Sequence, residues 1–335
     1  MQILIGTKVY SPSIGGVEAI ASILKSELSK LGHKVVLATE TRSSNGAINP
    51  TILRNPSRWE LFRQYVAADA VILMGATIRL GWPLLLLKRP ILISHQGYKR
   101  QSRGILDFRF LLRSRLMARA INVACSQSVA ESYGKSCRWT GNPYDTRAFF
   151  QRRGVKRNKD VVFVGRLVPE KGPDILLRAV SILKEKQVHL KCSIVGDGPL
   201  SDSLRRIIIE ENLEESVKLI GSLQDAQLGE FLNEHRVMVV PSVWEEPFGI
   251  VALEGAASGC LVIGSDRGGL PNALGIAGIT FTSGNPDDLA NKILQALKSE
   301  SMKKCKAEVE SHLARHSPSV FTKRLVGFLD GALNQ

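Results

Sequence analysis

Apolar positions along the chain fall into two alternating patterns, and their order predicts strands followed by helices. The run at residues 3–6 is short enough for a buried strand, and apolar residues then recur at helical spacing over residues 17–31. Another apolar run at residues 34–39 completes a βαβ unit. The same alternation predicts strands at residues 70–75, 90–95, 120–126, 137–140, 161–165, 190–196, 217–221, 237–240, 260–265 and 279–282. It predicts helices at residues 57–67, 77–88, 104–119, 173–187 and 224–235, a short element at 271–274, and helices from residue 286 onward and at 319–333.

A break in this alternation divides the chain. Residues 151–160 are rich in charge and poor in apolar side chains, which is typical of a linker. With 335 residues the chain is long enough for two domains that each have a core. Because strands and helices alternate on both sides of the break, we expect an α/β protein with parallel sheets, one domain covering residues 1–150 and the other residues 151–318.

The composition is typical of a soluble globular protein, with 44% hydrophobic and 23% charged residues. The apolar runs are much shorter than the ~20 residues that span a bilayer. No basic segment precedes the first apolar run, so no signal peptide is expected. The five cysteines are scattered and lack the spacing of metal ligands, which favours reduced thiols in the cytoplasm.

The charge is distributed unevenly. The formal net charge is +14, and residues 1–153 hold 23 Lys and Arg against 8 Asp and Glu, a net of +15. The rest of the chain is therefore almost neutral. A basic half of this kind indicates an anionic partner, either a nucleic acid or the negative cytoplasmic leaflet of a membrane.

The basic excess is densest around the predicted helix at residues 104–119. Its apolar stripe consists of Ile105, Phe108, Leu112 and Leu116. Four arginines flank this stripe, namely Arg109, Arg113, Arg115 and Arg119. Guanidinium groups beside an apolar stripe can reach lipid phosphates, although a core helix with solvated arginines has the same pattern. We predict a peripheral membrane contact here.

The loop between the predicted strand at 161–165 and the next helix carries two cations, Arg166 and Lys171. A guanidinium and an ammonium group next to a helix N-terminus suit a diphosphate, because arginine binds phosphate as a fork and lysine as a point charge. The alternative is a pair of ordinary surface cations.

Two glutamates, Glu246 and Glu254, stand eight residues apart after the predicted strand at 237–240. Pro247 suits the first position of a helix, so the two carboxylates would lie roughly 12 Å apart along it. That is wider than the ~5–9.5 Å of a glycosidase acid/base pair and suits the two ends of an extended ligand. A solvated helix face is the alternative.

Two features of the N-terminal half could also contact a ligand. Gly15 and Gly16 precede a helix, where glycines allow backbone amides to approach a ligand closely, although an ordinary tight turn has the same sequence. They do not form the G-x-G-x-x-G pattern of a dinucleotide site. His95 ends a predicted strand, where open α/β sheets bind ligands, although a lone histidine is more often structural.

These motifs together resemble the retaining glycosyltransferases of the GT-B fold, family 4. The stretch from Pro241 to Glu254 resembles the family's E-x7-E motif, and residues 165–172 resemble its phosphate-binding loop. Residues 11–18, 90–97 and 141–145 match more loosely, and Pro143 stands where the family has a glycine. In residues 268–272, Asn272 stands where the family usually has a glutamate, and an amide cannot supply the charge of that carboxylate.

The resemblance implies two Rossmann-like domains that face a central cleft, with the last helix packed back on the first domain. It also implies site residues. The catalytic ones would be Arg166, Lys171, Glu246 and His95. The donor-binding ones would be Gly15, Gly16, Gly165, Arg166, Lys171, Glu246, Pro247, Phe248, Gly249, Ile250 and Glu254. Arg166 and Lys171 would stabilise the leaving diphosphate, Glu246 would bind hydroxyls of the transferred sugar, and Glu254 would bind the ribose.

The expected function is therefore retaining transfer of a hexose-type sugar from a nucleotide diphosphate sugar to a saccharide or lipid-linked acceptor. No Asp-x-Asp occurs in the sequence, so no metal and no other cofactor is expected. The basic half favours bacterial cell-surface polysaccharide or lipopolysaccharide assembly at the inner face of the cytoplasmic membrane. A GT-B sugar-nucleotide epimerase and a basic, non-enzymatic nucleic-acid-binding protein are the alternatives, but the sequence has no zinc-finger spacing or RNA-recognition motif, so no nucleic acid partner is expected.

Overall fold

The computed structural model describes residues 1–12, 15–42, 49–99, 108–298 and 306–333. The chain divides into two compact units, one made of residues 1–143 and 316–335 and the other of residues 144–315. Each unit has a parallel sheet with helices, so the α/β fold of two Rossmann-like domains is confirmed.

The first unit is built on a seven-stranded parallel sheet in the order β3-β2-β1-β4-β5-β6-β7. Its strands are β1 Gln2–Thr7, β2 Lys34–Thr39, β3 Ile52–Arg54, β4 Ala70–Met74, β5 Ile91–His95, β6 Ile121–Ala124 and β7 Arg138–Trp139. Its helices up to this point are α1 Gly16–Lys30, α2 Arg58–Ala67, α3 Ile78–Gly81, α4 Phe108–Ala118 and α5 Gln127–Tyr133. All residues of β4 and β5 are buried, which is why each is an uninterrupted apolar run until the polar residues at the end of β5.

The second unit has a six-stranded parallel sheet in the order β10-β9-β8-β11-β12-β13. The strands are β8 Lys159–Val164, β9 Cys192–Val195, β10 Val217–Gly221, β11 His235–Val240, β12 Leu261–Ser265 and β13 Ile279–Phe281. The helices are α6 Pro173–Glu185, α7 Ser201–Glu210, α8 Asp225–Asn233, α9 Ile250–Ala257, α10 Leu270–Leu274, α11 Pro286–Leu297 and α12 Lys306–Arg315. The apolar faces of α6 and α11 pack with β8 and β11 in one buried core.

The last helix, α13 Pro318–Leu333, belongs to the first unit, where it contacts α1 and β5. Its buried side chains are Phe321, Leu325 and Leu329. His316, just before the helix, lies 2.8 Å from the Asn142 carbonyl oxygen through its Nδ1. The first unit is therefore assembled from two separate stretches of the chain.

The segment 151–160, expected to be a linker, is instead held in the second unit. The Arg152 amide donates to Asn233 Oδ1 at 2.7 Å, and the Arg157 guanidinium donates to the carbonyls of His235 and Ser258 at 2.7 and 2.6 Å. The Arg157 charge, one of those that indicated a solvated linker, therefore has specific backbone partners, and β8 already begins at Lys159.

Some predicted helices have other bounds. The helix expected at 77–88 divides into α3 and a 3-10 helix, Trp82–Leu85, because Pro83 has no amide proton for an α-helical hydrogen bond. The helix expected at 224–235 ends at Asn233, since His235 already pairs in the sheet. Part of the helix expected at 104–119 lies outside the described residues. The sequence reasoning missed β3, α5, α7 and α12.

Candidate active site

The order in which the chain adds strands to the second sheet reverses at β8. β8 lies between β9 and β11, so the chain leaves β8 toward one edge of the sheet and later returns to its other side as β11. Ligand crevices in open α/β sheets form at the carboxyl ends of two such strands. The loop after β8 holds Arg166 and Lys171, and the loop after β11 holds Glu246.

Backbone contacts join these two loops. The Val243 amide donates to the Glu170 carbonyl at 3.0 Å. Gly172 has φ +63°, and a Cβ atom there would lie 2.2 Å from the Pro241 carbonyl oxygen. Only glycine tolerates both this left-handed conformation and this approach, so it allows α6 to start at Pro173 directly against the second loop.

The side chains of the two loops also meet. Lys171 Nζ forms an ion pair with Glu246 Oε1, and Ser242 Oγ donates to the same oxygen at 2.8 Å. Glu246 is 5% exposed, whereas Arg166 is exposed and forms no ion pair among the described residues. Lys171 Nζ also lies 5.7 Å from the ring centre of Trp244. Arg166, Lys171 and Glu246 therefore lie in the loops of one site, but the Glu246 carboxylate is already paired with the Lys171 ammonium group.

A third loop, after β12, fixes the main chain of Glu246. Gly268 has φ +64°, and a Cβ atom there would lie 2.5 Å from the Glu246 carbonyl oxygen. The Gly269 amide donates to that same oxygen at 2.6 Å. Sequence reasoning assigned no role to Ser242, Gly268 or Gly269, although all three lie within the motifs that it quoted.

The prediction that a helix starts at Pro247 is wrong. α9 begins at Ile250, and Gly249 before it has φ 92° and ψ 62°. A Cβ atom at Gly249 would lie 2.6 Å from Leu270 Cδ1, and Phe248 is buried at 2% exposure. The chain therefore turns sharply to bury the Phe248 ring before helical geometry begins. The spacing of roughly 12 Å, which assumed one helix from Glu246 to Glu254, does not apply.

Glu254 lies inside α9 and is partly buried. Burial raises the pKa of its carboxyl group to about 8, and the negative charges of Asp225 and Asp145 add to the rise. Glu254 is therefore largely protonated at neutral pH in this state of the protein, and the group can donate a hydrogen bond as well as accept one.

In the first unit, Gly15 and Gly16 start α1. Gly15 has the extended values φ 174° and ψ 172° and caps the helix without a side chain, and Gly16 is its first residue. Their neighbours Ser13 and Ile14 lie outside the described residues. Glu18 is the closest charged group, since a Cβ atom at Gly15 would lie 2.7 Å from its Oε2.

His95 ends β5 and is 1% exposed. Its Nε2 lies 2.9 Å from Asn122 Oδ1, and its ring stacks on Tyr133 with 3.7 Å between centroids. Asn122 Nδ2 donates to the carbonyls of Met117 and Ala120, so Asn122 Oδ1 faces the histidine and His95 Nε2 must be the donor. Burial lowers the pKa of His95 to about 4, although the hydrogen bond that its Nε2 donates to Asn122 acts in the opposite direction, so the imidazole is neutral at pH 7.

The arginines predicted to contact a membrane do not form one set. Arg109, Arg113 and Arg115 on α4 are exposed. Arg119 follows the helix and donates to the carbonyls of Leu84 and Leu87 at 2.8 and 3.2 Å, so it is a structural residue.

The apolar stripe of α4 is not continuous either. Leu116 is buried against Gly81, whereas Phe108 is 70% exposed and Ile105 lies outside the described residues.

No helix among the described residues is long and apolar enough to cross a bilayer. No group of three or more His, Cys, Asp or Glu side chains in the same residues is arranged to hold a metal ion.

Comparison with known proteins identifies the family of the second unit. Residues 145–311, about half of the chain, match the family described as glycosyl transferases group 1. An uncharacterized glycosyltransferase of Methanocaldococcus jannaschii is 34% identical over 149 residues, which are 44% of this chain and 40% of that protein. A D-inositol 3-phosphate glycosyltransferase of Mycolicibacterium vanbaalenii is 31% identical over 191 residues, which are 53% of this chain and 42% of that protein. The chain thus matches less than half of the length of these relatives.

A solved structure shows the same fold over almost the whole chain. Anabaena HepE in complex with UDP aligns with a TM-score of 0.81 over 99% of this chain and 100% of that one, at 17% identity. The same protein in complex with UDP-glucose aligns with a TM-score of 0.76 over the same shares of both chains, at 18% identity. Through residues 145–311, the chain belongs to the glycosyl transferases group 1 family, and its fold is that of the GT-B glycosyltransferases.

Proposed function

We propose that this protein is a retaining glycosyltransferase that moves a hexose-type sugar from a nucleotide diphosphate sugar to a saccharide or lipid-linked acceptor. The observation that carries the proposal is the meeting of Lys171 and Glu246 at the carboxyl ends of β8 and β11, with Arg166 in the same loop as Lys171. The UDP and UDP-glucose complexes of Anabaena HepE support a nucleotide sugar as donor.

The ion pair suggests how the site responds to a donor. Without ligand, Glu246 neutralises Lys171, and Arg166 supplies the unpaired positive charge. When a diphosphate binds, Lys171 exchanges the carboxylate for phosphate oxygens, and the N-terminus of α6 adds its partial positive charge. Glu246, still hydrogen-bonded by Ser242, then accepts hydroxyl groups of the transferred sugar.

The reaction breaks a sugar–phosphate bond, so negative charge develops on the leaving diphosphate. Arg166 and Lys171 stabilise that charge most in the transition state, which raises kcat. In this proposal the two protein cations take the part that a metal ion has in other enzymes. Glu254 binds the ribose hydroxyls, while Gly165 and residues 247–250 line the donor site.

Kinetics of Arg166→Ala and Lys171→Ala test the proposal. We expect each to lower kcat by about 10²-fold or more for release of nucleoside diphosphate from a panel of nucleotide sugars. Arg178→Ala, an exposed cation on α6, is the matched control and should leave kcat unchanged. Loss confined to KM, or equal rates in all three variants, would refute a role in leaving-group stabilisation.

Two further measurements separate the alternatives. Turnover of the donor without an acceptor would support an epimerase instead. The anomeric configuration of the product, read by NMR, tests retention directly.

The cellular setting is part of the proposal and rests on the basic excess of residues 1–153. We place the enzyme at the inner face of the cytoplasmic membrane, in cell-surface polysaccharide or lipopolysaccharide assembly. Replacing Arg109, Arg113 and Arg115 by glutamine should weaken sedimentation with anionic vesicles. Unchanged sedimentation would reject the membrane contact.

A further inference from the structure

The first unit contains a cavity of about 1750 Å³. Its wall includes the carboxyl ends of β4 and β5 at Met74 and His95, and side chains of α2 and α4. Small-molecule sites are commonly ~300–1,000 Å³, so this cavity has room for a ligand of saccharide size or larger. Its described lining residues all belong to the first unit.

Positive charge dominates the lining of this cavity. The lining cations are Lys8, Arg58, Arg79, Lys99, Arg109 and Arg113, against one carboxylate, Glu40. The negative charge of Glu40 is already paired, because Arg79 Nη1 lies 3.7 Å from Glu40 Oε2. Among the described residues, Lys8, Arg58, Lys99 and Arg113 form no ion pair. A cleft lined by one sign of charge concentrates ligands of the opposite sign.

The cavity also has an aromatic wall. Trp82 lines it and stacks on Phe62, with 6.0 Å between ring centroids and 17° between ring planes. Phe62 stacks in turn on Trp59 at 6.1 Å. The stacking orients the Trp82 ring, which offers a flat apolar surface beside the charged groups.

An uncharged hydrogen-bond acceptor, the Nδ1 atom of His95, belongs to the residues that line the cavity. His95 lines the cavity, and its Nε2–H is used by Asn122. Its Nδ1 therefore carries a lone pair, and this buried atom has no hydrogen-bond partner among the described residues. A buried acceptor without a partner is costly, and a hydroxyl donor is the group that would satisfy it.

We infer that this cavity binds a phosphate-bearing, hydroxyl-rich molecule, either a sugar phosphate or a sugar diphosphate, and that this molecule is the acceptor of the enzyme. The last clause rests on the proposed function, whereas binding itself does not. Phosphate suits the lining because guanidinium groups pair with it as forks and several cations can share its charge. The ligand can come free in solution or attached to a lipid through a diphosphate.

Tryptophan signals give a direct test, since the chain has four tryptophans, Trp59, Trp82, Trp139 and Trp244. Trp82 lines the cavity, while Trp244 lies beside Lys171 in the second unit. Glucose 1-phosphate is titrated into the full chain, and the indole ¹H–¹⁵N signals are assigned by Trp→Phe substitutions. We expect the Trp82 signal to move and glucose alone to leave it in place. Movement of Trp244 alone, or an equal response to glucose, would overturn the inference.

Substitutions of the lining arginines test whether the binding reported by Trp82 depends on their positive charge. Arg58→Gln combined with Arg113→Gln should weaken binding by about 10-fold or more, as expected for the loss of charge-assisted hydrogen bonds. Arg63→Gln is the matched control, since Arg63 is exposed on α2, the helix of Arg58, and does not line the cavity. Equal affinity in both variants would overturn the inference. An unchanged melting temperature shows that these exposed substitutions leave the fold intact.

The two sources of ligand are distinguished by farnesyl diphosphate as a second probe, with inorganic diphosphate as its charge-matched control. Binding of farnesyl diphosphate at Trp82 that is tighter than binding of inorganic diphosphate assigns the cavity to a lipid-linked acceptor, and equal or weaker binding assigns it to a free sugar phosphate. These titrations need no turnover. Failure of the Arg166 and Lys171 kinetics would therefore reject the transferase proposal while leaving the binding result standing, and the reverse also holds.

Discussion

Replacing Glu254 by glutamine should stabilise the second unit in a pH-dependent way. The folded protein keeps the Glu254 carboxyl protonated up to a pKa of about 8, because burial and the charges of Asp225 and Asp145 disfavour its ionised form. The unfolded chain loses this proton near the ordinary pKa of 4.5. Between these two values the folded state binds the extra proton, so Glu254 makes the free energy of unfolding fall as pH rises.

The size of the effect follows from the two pKa values. A tenfold change in proton affinity corresponds to about 1.4 kcal/mol, so the rise from 4.5 to about 8 corresponds to about 5 kcal/mol above pH 8. Below pH 4.5 both states bind the proton, and this contribution disappears. Glutamine has nearly the shape of the protonated acid and does not ionise. Glu254→Gln should therefore unfold at a similar temperature to the natural protein at pH 4, and at a temperature higher by on the order of 10 °C at pH 9.

Thermal unfolding between pH 4 and 9 measures this difference. Other groups titrate in the same range, so the useful quantity is the difference between the natural protein and the variant at each pH. Glu210→Gln, an exposed glutamate on α7, is the control and should give two parallel curves. Parallel curves for Glu254→Gln as well would show that Glu254 is ionised in the folded protein and would refute this account of its environment.

Two other substitutions test the geometry around the sites. Asn122→Asp places a carboxylate beside His95 Nε2, so the pKa of His95 should rise from about 4 to above its ordinary 6.5. An NMR titration of the imidazole would detect this rise, and a pKa still near 4 would contradict the assigned contact. Gly172→Ala should lower the free energy of unfolding by about 2 kcal/mol or more, because the new Cβ would clash with the Pro241 carbonyl oxygen. The control Gly154→Ala, at φ +79° in open space, should lower it by only about 1 kcal/mol. Equal losses in denaturant unfolding would show that the contact with Pro241 has no effect.

Much of the fold could be predicted from the sequence because buried parallel strands are continuous apolar runs. β2 and β10 have the bounds that the pattern predicts, Lys34–Thr39 and Val217–Gly221. β3 was missed because it is a partly buried strand of three residues at the sheet edge. α7 was missed although Leu204 and Ile208, its buried residues, are four positions apart as on one face of a helix, because no element was predicted between the strands at 190–196 and 217–221.

The residue types of the candidate site could be predicted, but their contacts could not. Lys171 and Glu246 are 75 residues apart in the sequence and meet because β8 pairs with β11. The spacing of apolar residues does not specify which strands pair, so this contact could not be predicted. Pro247 favours a helix start by its own propensity, yet the positive φ of Gly249 delays the helix to Ile250. The burial of Glu246 and Glu254 likewise depends on neighbours that are distant in sequence.

The composite first unit has a consequence for how the protein is made. Residues 1–143 leave the ribosome long before α13, whose Phe321, Leu325 and Leu329 are buried in the folded unit, so the surfaces of α1 and β5 that contact α13 stay uncovered during most of translation. The unit can reach its native form only after the entire second unit has been synthesised. Nascent chains stalled between the two stretches should therefore attract chaperones that bind apolar surface.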